Sequence, residues 1–348
     1  MVDNPRHLRL LVVRLGAMGD ILHSMPAVTA LRQAHPEWTI GWAIEPQWRG
    51  LFCAAGCQPL TETMPLVDRI HIVPAKQWAK SPLSPATWRD MRRVRSQLRA
   101  MKYDVAVEMQ GALRAVMVAR WARTRRIIGE EKPREAPARW FFDQKVPTCG
   151  VHVIEQSLEV ANAIFGENLP LSMPLLPCDP DAEVKAAQLP QPFVLLSPGA
   201  GWGAKRWPAD RYGAVARQLA IAGYSVVINT GPAEEYLAQQ IAESGGGTAR
   251  ALTLDLPGLI AVTRRAALAI AGDTGPLHLA SALGRPVVGI YGPTDPARNG
   301  PFHGPGRVLR HPESVRDHAR RSEPEAGLLT ITPQAVVEAA LELLQEVR

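Results

Sequence analysis

A short apolar run, Ala267 to Ala271, stops at Asp273-Thr274-Gly275-Pro276, and His278 follows two residues later. A strand that gives way to a helix at such a turn presents free backbone amides, which face an anion readily, and Thr274 can add its hydroxyl. Asp273 is a poor phosphate ligand and suits sugar hydroxyls or the orientation of donors. His278 alone is more often a satisfied helix histidine, so the specificity lies in the group of residues. A second cluster, SPGAGWGAKRWP from Ser197 to Pro208, leaves another strand through small residues and reaches Lys205 just before a helix. Such a loop receives phosphates on its amides, with the lysine as a point charge beside them. It lacks the Ser/Thr after Lys that a nucleoside-triphosphatase loop requires. An ordinary Gly-rich loop with solvated cations is the plainer reading, and phosphate binding the favoured one.

Two further clusters carry carboxylates. In NTGPAEEYLAQQI, Asn229 to Ile241, Gly-Pro breaks a strand and Glu234 and Glu235 open a helix, where acids complement the helix dipole. One of them can instead accept from ribose hydroxyls, as acids do at this place in nucleotide-binding folds. In RLGAMGDILHSMPA, Arg14 to Ala27, two glycines turn the chain and Asp20 arrives at the next helix. A helix cap is at least as good a reading of Asp20 taken alone. The glycine spacing does not match the dinucleotide fingerprint.

The elements that must hold these residues alternate. In the first half, strands are expected at Leu8–Val13, Thr39–Ile44, Ile70–Val73 and Val105–Glu108, with helices at Ile21–Gln33 and Trp88–Met101. In the second half, strands are expected at Phe193–Ser197, Ser225–Thr230, Leu268–Ala271 and Val287–Tyr291, separated by helical patterns. Alternation of this kind predicts parallel, doubly wound α/β sheet, with ligands at the carboxyl ends of the strands. Six prolines between residues 168 and 192 mark an interdomain linker, with room for one short helix inside it. The expected division is therefore 1–167, linker 168–192, 193–332, and a closing helix over 333–348 that could pack back on the N-terminal domain.

Composition sets the outer bounds. The chain has 348 residues, too long for one ordinary core, and is 46% hydrophobic and 21% charged, as soluble proteins are. No apolar run approaches the ~20 residues that span a bilayer, and LRLLVV reads as a first strand, not a signal peptide. Four cysteines without metal spacing are expected to be reduced, in a cytoplasmic protein. The formal charge of +6 favours an anionic partner. Basic residues are not interleaved with aromatics, so nucleic acid is not expected.

Together, RLGAMGDILHSMPA, SPGAGWGAKRWP, GPAEE and DTGPLHLASALGRPVVGIYGPTDP resemble the lipopolysaccharide heptosyltransferases, glycosyltransferase family 9, in order and spacing over essentially the whole chain. PREAPARWFFDQKV, followed by VHVIEQ, is similar to the acceptor region of the heptosyltransferase I branch. The resemblance implies GT-B architecture, two Rossmann-like domains facing across a cleft. It implies an inverting enzyme taking heptose from ADP-L-glycero-β-D-manno-heptose to the Kdo sugar of Kdo2-lipid A, as a peripheral protein of the inner membrane's cytoplasmic face. It places Asp20 as general base and Lys205 at the donor phosphates. Glu234 or Glu235 falls to ribose, the backbone near Leu254 to adenine, and Asp273 to heptose hydroxyls. Thr274, Gly275, Pro276 and His278 form the turn around the diphosphate. Arg14, Lys76, Lys80, Gln110, Arg134 and His152 fall on the acceptor side. Ala79, Arg14 and Pro276 stand where the family commonly has a cation, a Lys and a Leu. Metal is not expected, since the one DxD-like triplet, Asp179-Pro180-Asp181, lies in the linker. The competing readings are a relative with another acceptor (a heptosylated core or a protein), a nucleotide-sugar epimerase, or a sensor on the same fold.

Overall fold

The computed structural model describes residues 7–231, 234–317 and 321–347. It divides into two compact units, one up to Pro177 and one from Cys178. The first contains β1 (Arg9–Val13), α1 (Met18–Ala34), β2 (Thr39–Ile44), β3 (Arg69–Ile72), α2 (Ala75–Lys80), α3 (Pro85–Ala100), β4 (Val105–Glu108), α4 (Leu113–Trp121), β5 (Arg126–Glu130), β6 (Gln144–Val146) and α5 (Val153–Asn162). Its six strands are all parallel, in the order β3-β2-β1-β4-β5-β6. The strand order reverses between β1 and β4, which pair from Leu10↔Val105 to Val13↔Glu108. The loops leaving these two strands therefore open a crevice at the switch point, where such sheets bind ligands.

The second unit contains α6 (Pro180–Ala187), β7 (Phe193–Ser197), α7 (Ala209–Ile221), β8 (Ser225–Thr230), α8 (Glu235–Ser244), β9 (Ala249–Thr253), α9 (Leu256–Arg265), β10 (Leu268–Gly272), α10 (Gly275–Ala282), β11 (Val287–Tyr291), α11 (Pro296–Asn299), β12 (Gly306–Arg310) and α12 (Pro333–Glu346). Its order, β12-β11-β10-β7-β8-β9, is the same winding, with the switch point between β7 and β10. Each unit closes a core of its own. Leu11, Val13, Ala106 and Ile127 pack on Val94 and Leu98 of α3 and Val116 and Ala119 of α4. In the second unit, Leu196, Ile228, Ile270 and Val288 pack on α7 through Tyr212, Val215 and Leu219.

The structure adds detail at two places and changes the expectation at two others. The closing helix, α12, seats Val336, Ala340, Leu343 and Leu344 in the second unit's core. The stretch 168–192 contains one short helix, α6, as the linker reading allowed. Asp179 caps α6 by accepting from Ala182 N–H at 3.0 Å, and Glu183 fastens α6 to α9 by ion-pairing with Arg264. Helix α1 begins three residues early, at Met18, because the Asp20 carboxylate closes its first turn by accepting from Ala17 N–H at 3.1 Å. Lastly, Cys53 and Cys57 are disulfide-bonded, their Cα atoms 5.6 Å apart, a separation a bridge spans without moving the backbone; Cys149 and Cys178 are free. Of the expected Gly-Pro break after β8, Pro232 lies outside the described residues, as does Ala233.

Candidate active site

In the second unit, β7 and β10 end side by side, and their exit loops bring Lys205 to Asp273. Lys205 Nζ donates to Asp273 Oδ2 at 2.5 Å and reaches the Asp273 carbonyl at 3.3 Å. His278, one turn into α10, lies 3.0 Å from Asp273 Oδ1. Asn299 Nδ2 reaches Oδ2 at 3.5 Å. The Asp273 side chain is 3% exposed and Lys205 16%. Burial opposes ionisation of Asp273, but the hydrogen bond and charge of His278 and the charge of Lys205 prevail and hold its carboxyl well below the usual carboxylate range. Lys205 also lies over the Trp202 ring, 4.8 Å from its centre. The lysine is thereby fixed in direction at the mouth of the switch point. Asp273 orients this donor, the second of the two roles its residue type allows.

The rest of the cluster is arranged around it. Thr274 is the N-cap of α10 and turns its hydroxyl back to Gly272 O at 3.3 Å, while Gly275 and Pro276 open the helix. The half-buried Glu234 precedes α8 and accepts from Gly231 N–H at 3.2 Å. A Cβ at Gly199 would collide with the Glu234 carboxylate, so the glycine after β7 is what admits it. Glu235 is exposed on the first turn of α8. Leu254, half-buried between β9 and α9, packs toward Gly258.

In the first unit the loops after β1 and β4 converge. Arg14 Nη2 pairs with Asp20 Oδ1 at 3.0 Å, with side-chain exposures of 15% and 45%. Arg14 also donates to Met109 O, and Trp42 Nε1 donates to Arg14 O at 3.1 Å. Asp20 is thus an exposed carboxylate on a rigid backing. Gln110 accepts from Leu15 N–H at 2.9 Å, and its Nε2 is buried without a partner among the described residues. Glu108, which ends β4, accepts from Gln110 N–H at 2.8 Å and from Gly111 N–H at 2.9 and 3.0 Å. Burial pushes the Glu108 carboxyl up to about 7, against the pull of those amides and of Arg14.

Of the remaining acceptor-side residues, Lys76 joins this group through its backbone, donating to Glu45 Oε1 at 3.0 Å, with its side chain exposed. Burial likewise raises the Glu45 carboxyl, opposed by Lys76 and Arg114. Lys80 is exposed at the end of α2. The exposed Arg134 follows Gly111 in space and pairs with Glu135 at 3.4 Å. His152 caps α5, its Nδ1 accepting from Ile154 N–H at 3.2 Å, and its ring meets His23 of α1 edge-on at 5.5 Å. Glu108, Glu45, Trp202 and Asn299 were not among the residues singled out in sequence. Glu108 had one visible signal, an acid closing the apolar run Val105–Val107. Among the described residues, no three His, Cys, Asp or Glu side chains converge as a metal site.

A family model described as glycosyltransferase family 9 (heptosyltransferase) matches residues 91–327. The chain is 26% identical to lipopolysaccharide heptosyltransferase 1 of Pseudomonas aeruginosa over 85% of this chain and 81% of that protein. It is 27% identical to lipopolysaccharide heptosyltransferase 1 of Escherichia coli K12, over 95% and 98% of the two chains. Among solved structures, E. coli heptosyltransferase WaaC with ADP superposes with a TM-score of 0.80 at 25% identity, covering 97% of this chain and 100% of that one. The same enzyme with ADP-2-deoxy-2-fluoro heptose gives a TM-score of 0.78 at 25% identity, over 96% and 99%.

Proposed function

The chain belongs to glycosyltransferase family 9, and from that membership we propose an inverting transfer of L-glycero-D-manno-heptose from ADP-heptose to the Kdo sugar of Kdo2-lipid A, with Asp20 as general base. The observation that carries this reading is the placement of one polar cluster at each sheet's switch point. One presents an exposed carboxylate backed by Arg14, the other an ammonium fixed by a buried Asp273.

In this reaction Asp20 takes the proton of the acceptor hydroxyl while that oxygen bonds to the anomeric carbon from the face opposite ADP. The bond between the anomeric carbon and the terminal phosphate oxygen breaks, and ADP leaves with the bonding pair. Its growing charge meets Lys205, already aimed, and the opening turn of α10 at Thr274, Gly275 and Pro276. His278 acts through Asp273, which it holds at 3.0 Å, and Asp273 offers the heptose its remaining lone pairs. Glu234 is the better placed of the two acids for the ribose, because its carboxylate lies at Gly231 and Gly199, where β8 and β7 give out, while Glu235 faces solvent. The backbone near Leu254 meets the adenine. The exposed Lys76, Lys80 and Arg134 suit an anionic acceptor. His152 contributes through its packing on α1, since its Nδ1 is occupied. The relatives' activity as lipopolysaccharide heptosyltransferases, and the ADP and ADP-2-deoxy-2-fluoro heptose bound to WaaC, agree with a heptose donor and a lipopolysaccharide acceptor. No described helix is long and apolar enough to cross a membrane, so docking on the cytoplasmic face of the inner membrane would be peripheral.

The test is to incubate the protein with ADP-heptose and either Kdo2-lipid A or an already heptosylated core, and to read the anomeric configuration of the product by NMR. Transfer to Kdo2-lipid A with inversion is expected. Transfer to the heptosylated core alone would overturn the acceptor, and a retained configuration would overturn the role of Asp20.

A further inference from the structure

At the amino end of the first sheet, opposite the loops of the candidate active site, lies a cavity of about 520 Å³ lined by Arg9, Arg99, Lys102, Arg123 and Arg125, with Asp104 the one acid. None of the five cations forms an ion pair with a described residue, and the Asp104 carboxylate is used locally, accepting from Arg9 N–H at 3.1 Å. A solvated basic face is the ordinary explanation for scattered charges, but three features set this group apart.

The first is convergence. The residues come from four places, namely the start of β1, the end of α3, the turn into β4 and the segment between α4 and β5. Folding therefore gathers them, at a cost in mutual repulsion. The positive charges of Arg123 and Arg95, after burial, lower the Arg99 guanidinium pKa.

The second is backbone conformation. Lys102 and Arg123 sit just past the ends of α3 and α4 with φ of 51° and 55°. Glycine takes that left-handed position most readily, yet at both helix ends the chain carries a cation there. Attraction to a helix C-terminus accounts for one cation per helix, not for five around one cavity.

The third is that the helix-end carbonyls are already covered. Arg9 Nη1 donates to Met101 O at 3.1 Å and Arg99 Nε to Trp121 O at 3.3 Å. These two guanidinium groups are anchored at a fixed height with further N–H groups to spare, the arrangement that binds phosphate oxygens well.

We propose that this cavity is a binding site for a multiply charged phosphate anion, separate from the transferase machinery. It lies the length of β1 away from the loop that carries Asp20, about 16 Å at the rise of a strand. The same chemistry is offered by a free oligophosphate or by phosphates on a lipid headgroup.

Titration calorimetry with inorganic tripolyphosphate tests the site, using wild type, Lys205→Ala and the double variant Lys102→Asn/Arg123→Asn. Asn tolerates the left-handed conformation, so the double variant keeps the backbone. The expected result is a saturable component that Lys205→Ala retains and the double variant weakens about tenfold or more. Arg125→Gln, at ordinary backbone geometry, is expected to weaken it in the same direction. Absence of such a component in wild type would overturn the proposal. So would its loss in Lys205→Ala, or its persistence at full strength in the double variant. Sedimentation with phosphatidylglycerol–phosphatidylcholine vesicles, against phosphatidylcholine alone, separates the sources. Vesicle binding lost in the double variant and competed by tripolyphosphate assigns a headgroup, and tripolyphosphate binding without vesicle binding assigns a soluble anion.

Discussion

Two buried carboxylates in this chain respond to pH in opposite directions. Asp273 is held well below the usual range by His278 and Lys205, so the unfolded chain takes up its proton first as pH falls. Its contribution to stability is present above the unfolded value, about 3.9, and is lost as pH drops below it. Asp273→Asn is expected to flatten that acid limb in chemical denaturation. At neutral pH it should cost about 3 kcal/mol, because Lys205 loses its partner; an unchanged acid limb would contradict the pairing. Glu108 is raised to about 7, so the folded chain holds its proton more tightly than the unfolded one. Its contribution is full below about 4.3 and is lost as pH rises through about 7. The thermal midpoint of wild type should therefore fall relative to Glu108→Gln across that window, whereas parallel curves would show that Glu108 is already ionised. Residue type and spacing were enough to single out Lys205, Asp273, His278 and Asp20. They were not enough to show that Asp273 is spent on Lys205, or that Glu108 stands behind Arg14, because those are contacts between loops far apart in the chain.

Most of the inner strands were legible in the sequence, and most of the edge strands were not. The inner strands β1, β2, β4, β7, β8, β10 and β11 are apolar runs, and each was readable from sequence. The edge strand β3 was read too, displaced by one residue, whereas the inner strand β5 and the edge strands β6, β9 and β12 were not. β9 (ARALT) and β12 (GRVLR) face solvent with arginines, as edge strands do, and β6 is three residues long. The start of α1 was misplaced because apolar spacing begins at Ile21, whereas the first turn is held by Asp20. Helix α12 has a clear apolar stripe, but a stripe does not name the core it fills. Leu343→Ala should cost about 2–5 kcal/mol in the second unit's unfolding, measured by denaturant titration; a change within error would mean that α12 is dispensable. Gly111 has φ of 63°, and a Cβ there would meet Arg134 N at 2.7 Å. Gly111→Ala is therefore expected to destabilise by about 1–3 kcal/mol and to displace Gln110; a fully stable variant would refute the local strain.

For the whole molecule, two units of the same winding each present a polar crevice at the switch point, and the proposed chemistry divides between them. In that proposal donor binding falls to the second unit and proton removal to the first. The two can accordingly be removed separately. ADP should raise the thermal midpoint of wild type and of Asp20→Ala alike, and should fail to do so in Lys205→Ala. The most direct measurement of the account is ADP release from ADP-heptose, with and without Kdo2-lipid A, in wild type and Asp20→Ala. Acceptor-dependent release that falls by about a hundredfold or more in Asp20→Ala, with ADP binding intact, is the predicted result. Equal release from the two proteins, or release that ignores the acceptor, would contradict it.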